Sequence, residues 1–194
     1  MGRGASRRRL MGGLLVGGSS ERMGRPKALI QYRGSSFAER IAAALAPHVE
    51  EIRIIGEGEV APALAGHARI ADAPGTRGPI AGLLAALRSN RGASWLIAAC
   101  DLPLVSAEAV GWLVAQRRAD AWAVLPSLSP GTVEPLLALY EPEALALLED
   151  LARTEKPAPS ALAGSRHVVF PTPPRALAPA WRNVNTGEDL DALP

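Results

Sequence analysis

Cysteine is nearly absent from this chain: Cys100 is the only one in 194 residues. An intramolecular disulfide framework and a multi-cysteine metal centre are thereby excluded, and the cytosol is the natural compartment. Aromatic residues make up only 4% of the chain, too few for an extended stacking platform on single-stranded nucleic acid. No uninterrupted apolar run reaches the roughly 18 residues of a spanning helix, so no membrane segment is expected. The excess of positive charge is local. Lys and Arg total 21 against 19 Asp and Glu, but Arg3, Arg7, Arg8 and Arg9 fall in the first nine residues, and without them the balance moves from +2 to −2. A basic face for nucleic acid is not implied. Residues 1–9 read as a basic, disordered tail, and residues 10–194 as the domain. Arginines do precede an apolar stretch ending at Val16, but Gly12 and Gly13 interrupt it and no small-residue cleavage pattern follows. A secretory signal is rejected.

What is present suits one globular unit: 48% of positions are hydrophobic, enough for a sizeable core at this length. Leu10 to Val16 reads as a buried strand running into a glycine-rich, basic loop, Gly17 to Lys27. The periodicity predicts helices over Phe37 to Ala46, Ile80 to Arg88, Ser106 to Arg118 and Pro142 to Arg153. Strands are expected at Glu51 to Ile55, Ala68 to Ala71, Trp95 to Cys100, Ala121 to Leu125 and Val133 to Tyr140. Short helices are expected at Ala61 to Ala65 and Gly187 to Leu193. Strands alternating with helices, the central ones apolar throughout, predict a single-domain α/β sandwich with a mostly parallel sheet covered on both faces.

In such sheets ligands bind beyond the carboxyl ends of the strands. Two features fall there. The loop from Gly17 to Lys27 offers free backbone N–H groups, with positive charge from Arg22 and Lys27, a combination suited to a triphosphate. It is neither a Walker A motif nor a dinucleotide fingerprint, and a plain glycine-rich turn with incidental charges is the alternative. Asp101 stands where the strand to Cys100 runs out; it can hold Mg²⁺ or satisfy turn amides before Pro103. Asp72 can hydrogen-bond a ribose or base, or close a turn. Cys100 reads as a buried small hydrophobe. His48, His67 and His167 lack metal-ligand spacing and are expected at the surface. Trp95, Trp112 and Trp122 are expected in the core, whereas Trp181, among prolines and arginines, is open to stacking on a flat ligand. No G-x-S-x-G elbow supports a hydrolase serine.

The segment from Leu15 to Lys27, LVGGSSERMGRPK, resembles the signature of the MobA-like molybdenum cofactor guanylyltransferases, roughly L-A-G-G-x-S-x-R-M-G-x-x-K. Further blocks match in order: Gly78 to Leu83 (GPIAGL), Ala99 to Pro103 (ACDLP), Glu134 to Tyr140 (EPLLALY), and Asn183 to Thr186 (NVNT) followed by Glu188-Asp189-Leu190. The likeness spans roughly residues 10–193. It implies a Rossmann-like three-layer nucleotidyltransferase that joins GMP from GTP to molybdopterin with Mg²⁺. It also implies hand-over among other molybdenum-cofactor enzymes. By the same resemblance, Leu15, Gly17, Gly18 and Asp72 would bind the nucleotide. Lys27, Arg22 and Asp101 would be catalytic, with Asp101 on the metal, and Asn183 and Asn185 would lie on the acceptor side. The chain departs from the pattern at Val16 (usually alanine) and at Glu134 (usually glutamine). It also departs after Ile55, where Gly56-Glu57-Gly58-Glu59 lacks an asparagine. The competing readings are a cytidylyltransferase of the same cofactor, a transferase for another small phosphate, and a nucleotide-binding module without turnover.

Overall fold

The computed structural model describes residues 8–17 and 25–194. Its frame is a seven-stranded sheet. In chain order the strands and helices are β1 (Leu10–Leu15), β2 (Gln31–Tyr32), β3 (Ser35–Ser36), α1 (Phe37–Leu45), β4 (Glu51–Ile55), β5 (Arg69–Ile70), α2 (Pro79–Ser89), β6 (Ser94–Ala99), α3 (Ala107–Ala115), β7 (Ala123–Val124), β8 (Leu137–Tyr140), α4 (Ala144–Leu151), β9 (Val168–Val169) and α5 (Gly187–Asp191). The sheet order is β5-β4-β1-β6-β8-β7-β9, with β2 and β3 forming a separate hairpin. Strands β5, β4, β1 and β6 run parallel, and β8 runs antiparallel to both β6 and β7.

Side-chain alternation along the strands divides the core in two. Leu14, Ile52, Ile54, Leu96 and Leu139 pack with α1 and α3 on one face. Met11, Ile55, Trp95, Ile97 and Tyr140 pack with α2 and α4 on the other. The result is the expected three-layer sandwich. A methyl group at Gly13 would lie 2.5 Å from Ile97 Cδ1 and 2.6 Å from Ile55 Cδ1, so this strand glycine lets the two isoleucines close over β1.

Local chemistry explains the helix starts. Ser36 caps α1 in a reciprocal box: its hydroxyl accepts from Glu39 N at 3.2 Å and its own N–H donates to Glu39 Oε2 at 2.7 Å. Ser106 caps α3, as expected, and Pro79 begins α2, where a missing N–H costs nothing. Several elements are shorter than the sequence suggests. The strand expected from Val133 starts at Leu137, because Pro135 lacks an N–H for the ladder and Glu134 N bonds instead to Pro126 O. The strand expected from Ala121 to Leu125 is only Ala123–Val124, and the helix from Pro142 is Ala144–Leu151.

Trp181 is a correction. It is 1% exposed, donates Nε1–H to Leu137 O at 2.9 Å and meets Trp112 edge-on at 5.7 Å, so it is core and not a stacking surface. Trp112 and Trp122 are only partly buried, Trp122 lying flat against the His167 ring at 4.0 Å. The histidines are half-buried and not at the open surface. His48 Nε2 pairs with Ala107 O at 2.7 Å, and His67 Nδ1 lies 3.3 Å from Ile52 O. Arg8 and Arg9, assigned to the tail from sequence, pair with Glu143 and Glu50. No helix among the described residues is long and apolar enough to cross a membrane.

Candidate active site

Strands β1, β4 and β6 end together, and beyond their carboxyl ends lies a cavity of about 220 Å³. Its wall includes Leu15, Gly17, Lys27, Asp72, Gly82 and Asp101. Five of these six were singled out from the sequence. Gly82 was not assigned a role, although a glycine inside an otherwise apolar helix was a signal. A methyl group there would fall 2.3 Å from Leu15 Cδ2, so Gly82 lets α2 close on the end of β1 and shapes the cavity floor. Gly18 and Arg22 lie outside the described residues.

One end of the cavity is polar, with a charge of each sign. Lys27 Nζ donates to Asn185 Oδ1 at 2.6 Å and to Asp101 Oδ2 at 3.3 Å. Both partners of the Lys27–Asp101 ion pair are mostly shielded, at 17% and 21% side-chain exposure, so their interaction is screened less than at an open surface. The other carboxylate oxygen, Asp101 Oδ1, is buried and has no hydrogen-bond partner among the described residues. A buried, unsatisfied carboxylate oxygen is costly; a cation facing it would remove that cost.

The segment carrying Asn185 is fixed from both sides. Val184 is fully buried with Ile30 and Phe37, and its N–H donates to Asp101 O at 2.9 Å. Asn185 N and Thr186 N both donate to Asp189 Oδ2, at 2.8 and 2.9 Å. These backbone donors, with the Thr186 hydroxyl, hold the Asp189 carboxyl below its usual pKa. Asp189 is therefore a positioning residue for Asn185, which nothing in composition indicated. Asn183 is exposed and is not joined to this group.

Asp72 and Ile55 line the cavity beyond β5 and β4, and a tight loop after β4 backs them. Asp72 stands against glycine backbone: methyl groups at Gly82, Gly56 and Gly17 would lie 3.4, 3.7 and 3.9 Å from its carboxylate oxygens. Burial, and then the charge of Glu57, raises the Asp72 pKa above the usual value. Gly56 has φ +93°, and Gly58 N donates to Val16 O at 2.7 Å. A methyl group at Gly58 would lie 2.1 Å from that same oxygen, so the loop tolerates no side chain there. Arg69 ties it down by donating to the carbonyls of Gly56 and Gly58 at 3.0–3.1 Å.

A cavity lined by a lysine–carboxylate pair and by a glycine-framed carboxylate suits a nucleoside triphosphate. The family model for the MobA-like NTP transferase domain matches residues 12–169. The chain belongs to this family. It is 34% identical to the molybdenum cofactor guanylyltransferase of Sinorhizobium fredii, over 92% of this chain and 87% of that one. It is 30% identical to a probable molybdenum cofactor guanylyltransferase of Bacillus cereus, over 91% of each. It also matches a molybdenum cofactor biosynthesis bifunctional protein of Synechocystis at 37% identity over 142 residues, spanning only 41% of that longer chain. Among solved structures, the molybdopterin-guanine dinucleotide biosynthesis protein A of Archaeoglobus fulgidus superposes with a TM-score of 0.76 at 25% identity, over 93% of this chain and 95% of that one. A nucleotidyl transferase of Methanothermobacter shares the fold at 20% identity, with a TM-score of 0.73 and 94% of each chain covered. As a MobA-like NTP transferase, the protein is a nucleotidyltransferase.

Proposed function

We propose that the protein transfers GMP from GTP to the terminal phosphate of molybdopterin, releasing pyrophosphate. The observation that carries the transfer chemistry is the Lys27–Asp101–Asn185 group at one end of the cavity. The choice of guanine and of molybdopterin is supported by the relatives named above.

Asp101 Oδ1, buried and without a partner among the described residues, fits a Mg²⁺ ligand, since Mg²⁺ is commonly held by one or two carboxylates and by substrate phosphates. When bound there, Mg²⁺ supplies charge neutralisation and Lewis-acid polarisation at the triphosphate. Lys27 screens the repulsion between two polyanions, and Asn185 holds the Lys27 ammonium in place. Backbone at Leu15 and Gly17 lies against the nucleotide, with Asp72 toward the nucleoside. Gly18 and Arg22 are assigned to the nucleotide and the triphosphate on sequence grounds, and Asn183 to the acceptor side. An acceptor phosphate oxygen forms the new bond to the α-phosphorus as the bond to pyrophosphate breaks. That nucleophile is already anionic, so positioning and charge neutralisation carry the reaction, without a general base or a covalent enzyme intermediate. The cytosol is the fitting compartment for a sequence with a single cysteine.

Calorimetric titration of GTP, CTP, ATP and UTP with Mg²⁺, against the wild type and Asp101→Asn, tests this reading. Selective, Mg²⁺-dependent GTP binding that Asp101→Asn weakens is expected, with turnover on molybdopterin reduced at least about 100-fold. A preference for CTP moves the protein to cytidylyl transfer, and substantial Asp101→Asn turnover overturns the mechanism.

A further inference from the structure

Lys27, Asp101 and Asn185 come together from three distant segments, and the same three segments meet a second time outside the cavity. Lys27 begins a single 3₁₀ turn, Lys27–Leu29, and its carbonyl accepts from Ile30 N at 3.1 Å. Ile30 is fully buried in a small satellite core with Phe37 and Val184, and Tyr32, Leu190 and Leu193 pack against it. That core joins the Lys27 segment to the one that carries Asn185. It is a slender joint: α5 has five residues and buries none of them, too short to be stable alone.

Tyr32 adds the polar part of the joint. Its hydroxyl donates to Pro194 O, and Arg33 Nη2 donates to the same oxygen at 2.6 Å. The guanidinium carbons of Arg40 and Arg33 stand 5.1 and 5.2 Å from the centre of the Tyr32 ring, within reach of a cation–π contact. Arg40 Nε donates in turn to Pro103 O at 3.0 Å, two residues beyond Asp101. Arg33 is strained in this place. It is the only non-glycine with positive φ among the described residues, at +50°, and with Gly34 at +84° it forms the turn between β2 and β3. Two-residue turns of this kind favour Asn, Asp or Gly, and such strain persists where surrounding contacts over-determine it.

We infer that Tyr32, flanked by Arg33 and Arg40, is a positioning residue for the polar group of the cavity. It ties the segments of Lys27, Asp101 and Asn185 together from behind, and so limits how far the Lys27 ammonium strays from its partners. It acts through the backbone and not on the substrate. The inference rests on the proposed function only in taking the Lys27 group as the reaction centre.

The test needs no substrate at first. Lys27 and Lys156 are the only lysines in the sequence. Acetylation of the full chain by acetic anhydride, read by peptide mass spectrometry, therefore compares the shielded Lys27 with the exposed Lys156 as an internal standard. Well below the melting temperature, Tyr32→Phe, which keeps the ring and loses the hydroxyl, is expected to raise the Lys27-to-Lys156 rate ratio about threefold, and Tyr32→Ala about tenfold. Arg117→Ala, which breaks an ion pair to Glu141 of 2.9 Å away from these segments, lowers stability and should leave the ratio as in the wild type. In turnover of GTP with molybdopterin, Tyr32→Ala is expected to lower kcat about tenfold and to move the KM for GTP less than about twofold, because Asp72 stands beyond β5 and outside the joint. Tyr32→Phe decides alone if Tyr32→Ala does not fold. An unchanged ratio in the folded Tyr32 variants, or an equal rise in Arg117→Ala, overturns the inference and leaves the proposed function standing. A raised ratio with wild-type kcat supports the joint and overturns the Lys27 group as the reaction centre.

Discussion

At the level of single residues, the polar end of the cavity depends on one lysine held, among the described residues, by neighbours of different kinds. Asn185 sits 2.6 Å from Lys27 Nζ and Asp101 Oδ2 sits 3.3 Å away, so the neutral partner makes the closer contact. Asn185→Ala is therefore expected to lower kcat by about tenfold with a small change in stability, because it releases the ammonium without unpairing a buried charge. Steady-state kinetics beside a melting curve would separate the two effects. Asp72 gives a prediction in pH. Its folded-state pKa is raised, by burial first and Glu57 second, so the folded chain favours the protonated form. The contribution is fully present below the unfolded value of 3.8 and is lost as pH rises through the folded value. Asp72→Asn should accordingly melt higher than the wild type at pH 7, the difference shrinking as pH falls toward 3.8, while GTP binding weakens throughout.

Among the elements, β1 and the loop after β4 meet at glycines whose missing side chains are structural. Gly82→Ala forces a methyl group to 2.3 Å from Leu15 Cδ2 and is expected to cost about 1–3 kcal/mol in urea unfolding, together with a loss of GTP affinity as α2 is pushed off β1. Much of this level was legible beforehand. The apolar runs at Leu10 and Trp95, Ser106 as a cap and Pro79 at a helix start each express a local rule, and each element formed where it was expected. The reversed direction of β8 was not legible, because a short apolar run reads alike in either direction. Trp181 was misread as open because neighbouring prolines and arginines say nothing about a packing partner more than 40 residues away, here Leu137. The candidate site was legible to the same extent. Lys27, Asp72 and Asp101 stood out by their position after strands, whereas the supports from Asp189, Arg69 and Gly82 depend on contacts across the fold.

Across the whole molecule, the two ends of the sheet carry separate duties. The carboxyl ends of β1, β4 and β6 carry the cavity. At the other end, where β6 begins, the buried Ser94 hydroxyl and Glu141 bind Arg117, with contacts of 2.8–3.1 Å. The Arg117 and Glu141 side chains are 13% and 12% exposed. Arg117→Ala leaves the shielded Glu141 carboxylate with the Ser94 hydroxyl and, at 3.9 Å, Arg8, and is expected to cost about 1–3 kcal/mol. Six strand residues, roughly 20 Å, separate that network from Asp101. Well below its lowered melting temperature, Arg117→Ala should therefore bind GTP like the wild type. Equal losses of stability and affinity in calorimetry would contradict this division.

The lone thiol turns that division into something that can be timed. Cys100 is 7% exposed, borders the cavity and immediately precedes Asp101, so a thiol reagent can reach it only when the chain opens around the end of β6. With a single thiol in the sequence, each modification event counts one such opening. The modification rate of the native protein is thus a clock for local breathing at the reaction centre, and nucleotide that fills the cavity should slow it.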